Sequence, residues 1–148
     1  MAMVTISELD EAVPFGARIS GATFAALEDE TNRARINAAF IERGVIVFED
    51  VEPSSQMHIA ISNVFGPLKE HPVSNVERVD EQTMPRVIVI SGKGKGPMVE
   101  VGGKPLVTWQ PWHFDHCYND ELNRAGVLRA VVPAKDDGLT GFADGIQI

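Results

Sequence analysis

The chain has 148 residues, the size of one ordinary domain, with 44% hydrophobic and 23% charged residues, close to the averages for a globular protein. Thirteen Lys and Arg against twenty-one Asp and Glu leave a net charge of −8, which excludes a general nucleic-acid binder working through a basic footprint. No apolar run approaches the roughly 20 residues of a membrane span, and Met1-Ala2-Met3-Val4-Thr5 has neither the basic flank nor the apolar stretch of a signal peptide. Cys117 stands alone and forms no internal disulfide, so a reducing, cytoplasmic setting is expected.

In chain order, Val4-Thr5-Ile6 and Ala17-Arg18-Ile19 read as short extended pieces around Pro14 and Gly16. Ile36, Ala39, Phe40 and Arg43 recur at helical spacing and predict a helix over 29–43 that Gly44 stops. Val45-Ile46-Val47-Phe48 is apolar without alternation, as in a strand covered on both faces. A second helix is expected from Pro53, which suits the first helical position. Its stripe is Met57, Ala60, Ile61, Val64 and Phe65, and Gly66-Pro67 ends it. A polar linker around 77–82 leads to an apolar strand over 87–90, then to a glycine-rich stretch over 92–104 where little order is expected. That stretch lacks both the phosphate-loop and the dinucleotide spacing. From Trp112 onward the pattern is strand-like, most clearly over 127–132 and 139–142. Helices early and strands late predict an α+β protein, organised as a single domain over 1–148.

Chemistry concentrates at Trp112-His113-Phe114-Asp115. In an extended segment, side chains two apart share a face. His113 and Asp115 would then offer an imidazole nitrogen and a carboxylate oxygen side by side, two of the three donors in a non-haem Fe(II) facial triad. The other histidines are His58, His71 and His116. His58 falls beside the apolar stripe of the second helix and reads as structural. His116, three after His113, faces the opposite side of a regular strand, while Cys117 would share the metal face. A zinc or iron site using His113, Asp115 and Cys117 is therefore an alternative, against the plainer reading of Cys117 as a buried thiol.

The order Arg43-Gly44-Val45-Ile46-Val47-Phe48, Phe65-Gly66-Pro67-Leu68, His71-Pro72-Val73, Trp112-His113-Phe114-Asp115, Gly138-Leu139-Thr140-Gly141-Phe142-Ala143 resembles the taurine dioxygenase (TauD/TfdA) family. These are Fe(II)- and 2-oxoglutarate-dependent dioxygenases, and the resemblance runs over nearly the whole chain. It implies an incomplete double-stranded β-helix, a jelly-roll relative with outer helices. It implies Fe(II) held by His113 and Asp115, 2-oxoglutarate with one carboxylate at Thr140, O2, and a small organic substrate whose anionic group meets His71. Where family members show Gly-Gly-Asp-Thr, this chain has Asp137-Gly138-Leu139-Thr140. Trp109 replaces an amide residue and Ser74 a substrate-contacting tyrosine. These departures point away from taurine and leave sulfonates, sulfate esters and aryloxy acids as substrates. Family members are nearly twice as long, and their last iron-binding histidine and 2-oxoglutarate-binding arginine lie in the part that would follow Ile148. The expectation is thus the amino-terminal part of such a domain, inactive alone, associating as a homo-oligomer or requiring a completing segment. The alternative is a catalytically inactive remnant or interaction module.

Overall fold

A computed structural model describes residues 2–72, 75–91, 98–107, 111–136 and 138–148. The architecture is mixed α/β, with three helices and three small sheets among the described residues. Contacts cluster into two compact units, one running to Pro67 and resumed over Val127–Ile148, the other covering Leu68–Gly126.

In the first unit, β1 (Thr5–Glu8) pairs antiparallel with β2 (Ala17–Ser20), and β2 pairs parallel with β3 (Ile46–Phe48). Parallel neighbours need a crossover, which helices α1 (Phe24–Glu28) and α2 (Glu30–Arg43) provide. Asp29 caps α2 by accepting from the Asn32 amide at 2.9 Å, and Arg43 sits in its last turn, where a cation suits the helix dipole. Gly44, at φ 72°, turns out of the helix while its N–H returns to the Phe40 carbonyl. The short α1, set off by the Thr23 hydroxyl, carries too few residues to show a period in the sequence.

Helix α3 (Ser55–Phe65) begins later than Pro53 implies. The Ser54 hydroxyl accepts from the Met57 amide at 3.1 Å, so Ser54 becomes the cap and Pro53 precedes it. The expected stripe is borne out, with Met57, Ile61, Val64 and Phe65 all buried. Phe65 meets Phe40 of α2 edge-on, with ring centroids 5.1 Å apart. Ile19 of β2, Leu27 and Ile36 complete the core and are essentially inaccessible. Among the described residues one polar side chain is buried with them. Asn32 accepts from the Val4 amide at 3.1 Å and donates to the Ala2 carbonyl at 3.2 Å. The expectation that 45–48 is covered on both faces is corrected, because Val47 is 36% exposed on a strand that, among the described residues, pairs with β2 alone.

The second unit is built from hairpins. β4 (Arg78–Asp80) pairs with β5 (Met84–Ile88) across a turn in which the Asp80 carboxylate accepts from the Gln82 and Thr83 amides at 2.9 and 2.6 Å. The polar linker therefore contains a strand, and the strand expected over 87–90 instead begins at Met84 and ends at Ile88. β6 (Met98–Val101) and β7 (Lys104–Val107) meet across Gly102-Gly103, both at positive φ, as the tightest hairpins require. Order thus reaches into the glycine-rich stretch; its residues 92–97 lie outside the described ones.

Beyond residue 110 the strand expectation is overturned. Among the described residues of 111–148 there is no helix or strand. Leu128, Val131, Val132, Leu139 and Phe142 are exposed. Strand-forming composition becomes a strand only with a partner's backbone to pair with, and no described segment pairs with these. The double-stranded β-helix is accordingly not formed by the described residues.

Candidate active site

Residues 113 and 114 form an irregular link between a bend at Trp112 and a turn over 115–118. Even so, the two side chains singled out by spacing come together. His113 Nε2 lies 3.1 Å from Asp115 Oδ1, with the side chains 49% and 64% exposed. On its other edge His113 Nδ1 donates to the Pro111 carbonyl at 2.8 Å. That carbonyl holds the imidazole pKa above its ordinary value; desolvation opposes it, and the hydrogen bond and charge of Asp115 add smaller upward contributions.

This arrangement has a chemical meaning. A backbone carbonyl on Nδ1 fixes a ring's orientation and leaves Nε2 as the ligating atom, a common support for metal-binding histidines. Adjacent vertices of an octahedron with bonds of about 2.1 Å lie about 3 Å apart, so the observed separation suits neighbouring ligands. The donors fit Fe(II) in kind, one imidazole nitrogen and one carboxylate oxygen. Among the described residues no group of three or more His, Cys, Asp and Glu converges, so this site holds two donors. Cys117 is exposed, which corrects the buried-thiol reading, and among the described residues it joins no such group with His113 and Asp115. Gly126 runs close by, where an added Cβ would touch Asp115 Oδ2 at 3.5 Å.

The remaining sequence-derived candidates are distributed differently. His71 lies in the same unit as the pair but against His116, ring centroids 5.0 Å apart. Thr140 belongs to the first unit and is exposed in an irregular segment. His58 is structural as expected, its Nε2 2.9 Å from the Val127 carbonyl. Nearby Arg129 reaches the Ser55 hydroxyl at 3.3 Å. Ser74, Trp109 and Asp137 lie outside the described residues. Sequence reasoning missed the Pro111 carbonyl and Asn123, which bonds His116; backbone acceptors and partners seven residues away across a turn leave no periodic signal.

Beside the His71–His116 contact lies a polar depression of about 340 Å³, lined by Lys69, Glu70, Pro72, His116, Asn119 and Asn123, among others. Among the described residues no helix is long and apolar enough to cross a membrane.

The sequence model of the family described as taurine catabolism dioxygenase TauD, TfdA matches residues 5–148. An (S)-phenoxypropionate/alpha-ketoglutarate-dioxygenase of Sphingobium herbicidovorans is 28% identical over 137 residues, covering 88% of this chain and 42% of that protein. A pentalenolactone F synthase of Streptomyces avermitilis is 27% identical over 133 residues, covering 87% and 42% respectively. The chain therefore spans well under half the length of these curated relatives.

Proposed function

We infer, because the chain belongs to the TauD/TfdA family of Fe(II)- and 2-oxoglutarate-dependent dioxygenases, that it forms the amino-terminal part of one such catalytic domain. The reaction is hydroxylation of a small organic anion in the cytoplasm. The observation that carries this reading is the His113–Asp115 pair, whose donor atoms are 3.1 Å apart with the imidazole anchored from behind by Pro111.

The roles of the residues follow from their chemistry. His113 Nε2 and Asp115 Oδ1 would hold the metal, which supplies open positions for 2-oxoglutarate and O2 and oxidising power when bound. Asp115 also lowers the positive charge of the site, and the Pro111 carbonyl keeps the imidazole from rotating. The Thr140 hydroxyl is assigned the distal carboxylate of 2-oxoglutarate, to which it can donate. His71 is assigned the acidic group of the substrate. The aryloxy acid in the name of one relative is the first substrate class to test. A third metal ligand and the strands that close a jelly roll would come from a completing segment or a second copy of the chain. The exposed apolar residues between Leu128 and Phe142 support that need for a cover.

Anaerobic equilibrium dialysis against Fe(II), followed by 2-oxoglutarate, tests the reading. The 148-residue chain should retain iron through His113 and Asp115, and addition of 2-oxoglutarate should produce a visible charge-transfer band. A folded chain that takes up no iron would favour the remnant or interaction module instead.

A further inference from the structure

The roles above leave one imidazole unused. Alternation along a strand sends His116 away from the metal face. The chain instead turns over residues 115–118, with His116 at φ 54°, a left-handed conformation in which histidine is one of the few enriched non-glycine residues. The Asn119 amide closes this turn on the His116 carbonyl at 3.1 Å. The reversal lays the His116 ring edge-on against His71, at an interplanar angle of 77°. Tyr118 packs on the same ring with its centroid 6.0 Å away.

The ring is also held in one chemical form. Asn123 Nδ2 lies 2.7 Å from His116 Nδ1. An amide nitrogen donates and has no lone pair to give, so Nδ1 must accept, and the neutral ring carries its proton on Nε2. The depression that His116 and Asn123 line has two carboxylates on its rim, and each has a cation: Lys69 pairs with Glu121 at 2.9 Å, and Arg86 approaches Glu70 at 4.0 Å. A fixed imidazole donor beside amide groups, with the neighbouring carboxylates already paired, suits an incoming oxyanion.

We propose that His116 is a specificity-determining residue, donating from Nε2 to the oxyanion of the substrate beside His71, and that Asn123 is the positioning residue that fixes its tautomer. The proposal rests on the reading of His71 as a substrate contact and adds a second imidazole to it. It also makes the turn at 115–118 functional, because a straight strand would carry His116 away from His71.

Long-range proton–nitrogen spectra of the imidazoles at about pH 8, above the ordinary histidine pKa, read the tautomer directly. His116 should show a bare Nδ1 and a protonated Nε2. Asn123→Ala should give a mixture, and Asn123→Asp, which offers only acceptors, should move the proton to Nδ1. A proton on Nδ1 in the unmodified chain would overturn the proposal. Titration with 2-phenoxypropionate and, separately, with ethanesulfonate then tests binding and tells a carboxylate preference from a sulfonate one. Resonances of both His71 and His116 should move with the preferred anion. His116→Ala should weaken binding about tenfold, the loss of one charge-assisted hydrogen bond, and Asn123→Ala should weaken it less, in proportion to the share of the ring that leaves the Nε2–H form. His116→Asn, which tolerates the left-handed backbone and keeps a donor, should restore part of that loss. Movement of His71 alone would overturn the role of His116 and leave the reading of His71 intact. Movement of neither would overturn both.

Discussion

Asn32 offers the sharpest test of how the first unit is held together. It is 1% exposed, and its carboxamide ties the start of the chain to α2 through Val4 N–H and the Ala2 carbonyl. In Asn32→Ala the Val4 amide loses its acceptor, and Val4 is itself only 2% exposed, so water does not readily replace the bond. An orphaned buried donor costs about 1–3 kcal/mol. The Ala2 carbonyl belongs to an exposed residue and rehydrates at little cost. Alanine returns about 0.6 kcal/mol in helix propensity, and the Asp29 cap survives because it uses the Asn32 backbone amide. The net loss should be about 1–2 kcal/mol in urea unfolding, with faster hydrogen exchange at the Val4 amide. Asn32→Asp keeps the acceptor but buries a carboxylate, so it should be the less stable of the two variants at neutral pH. Unchanged stability in Asn32→Ala, together with wild-type exchange at Val4, would refute the reasoning.

Replacing either member of the proposed metal pair should abolish iron retention: His113→Ala removes the nitrogen, and Asp115→Asn keeps the size while losing the charge. Dialysis with wild-type affinity in both variants would take the pair out of the site. Ser54→Ala should destabilise α3 by about 1 kcal/mol through loss of its cap, a shift that thermal melting resolves. At the β4–β5 turn, the Thr83 backbone amide, the Thr83 hydroxyl and the Gln82 amide hold the Asp80 carboxyl below its ordinary value. A carboxyl depressed in the folded state contributes stability above its unfolded pKa and loses that contribution as pH falls through the folded one. The Gln82 and Thr83 amide resonances should therefore shift with a midpoint below the ordinary Asp value, and Asp80→Asn should erase that transition. A midpoint at or above the ordinary Asp value would contradict the assigned hydrogen bonds.

What the sequence makes legible is what short-range physics decides. The stripe through Ile36 and Phe40 and the stop at Gly44 mark α2 because period and stop lie within the helix or next to it. The proximity of His113 and Asp115, the proposed metal pair, was legible for a similar reason, since two residues separated by one stay close in an extended link and in an irregular one alike. His116 was not, because strand alternation stops applying where a left-handed residue turns the chain. Residues 127–132 and 139–142 show the other limit. Their composition is that of strands, but pairing is a property of two segments, and one segment's sequence does not contain its partner.

The parallel pairing of β2 with β3 sets an order of assembly. Ala17 can face Ile46 only after the chain has closed a long loop that contains both α1 and α2, and such closures are slow because their entropy is lost before any contact repays it. The hairpins β4–β5 and β6–β7 join neighbours in sequence across short turns, the kind of closure that takes microseconds. During refolding, the two hairpins that precede the segment bearing His113 and Asp115 would thus be formed while the first sheet was still searching for its third strand.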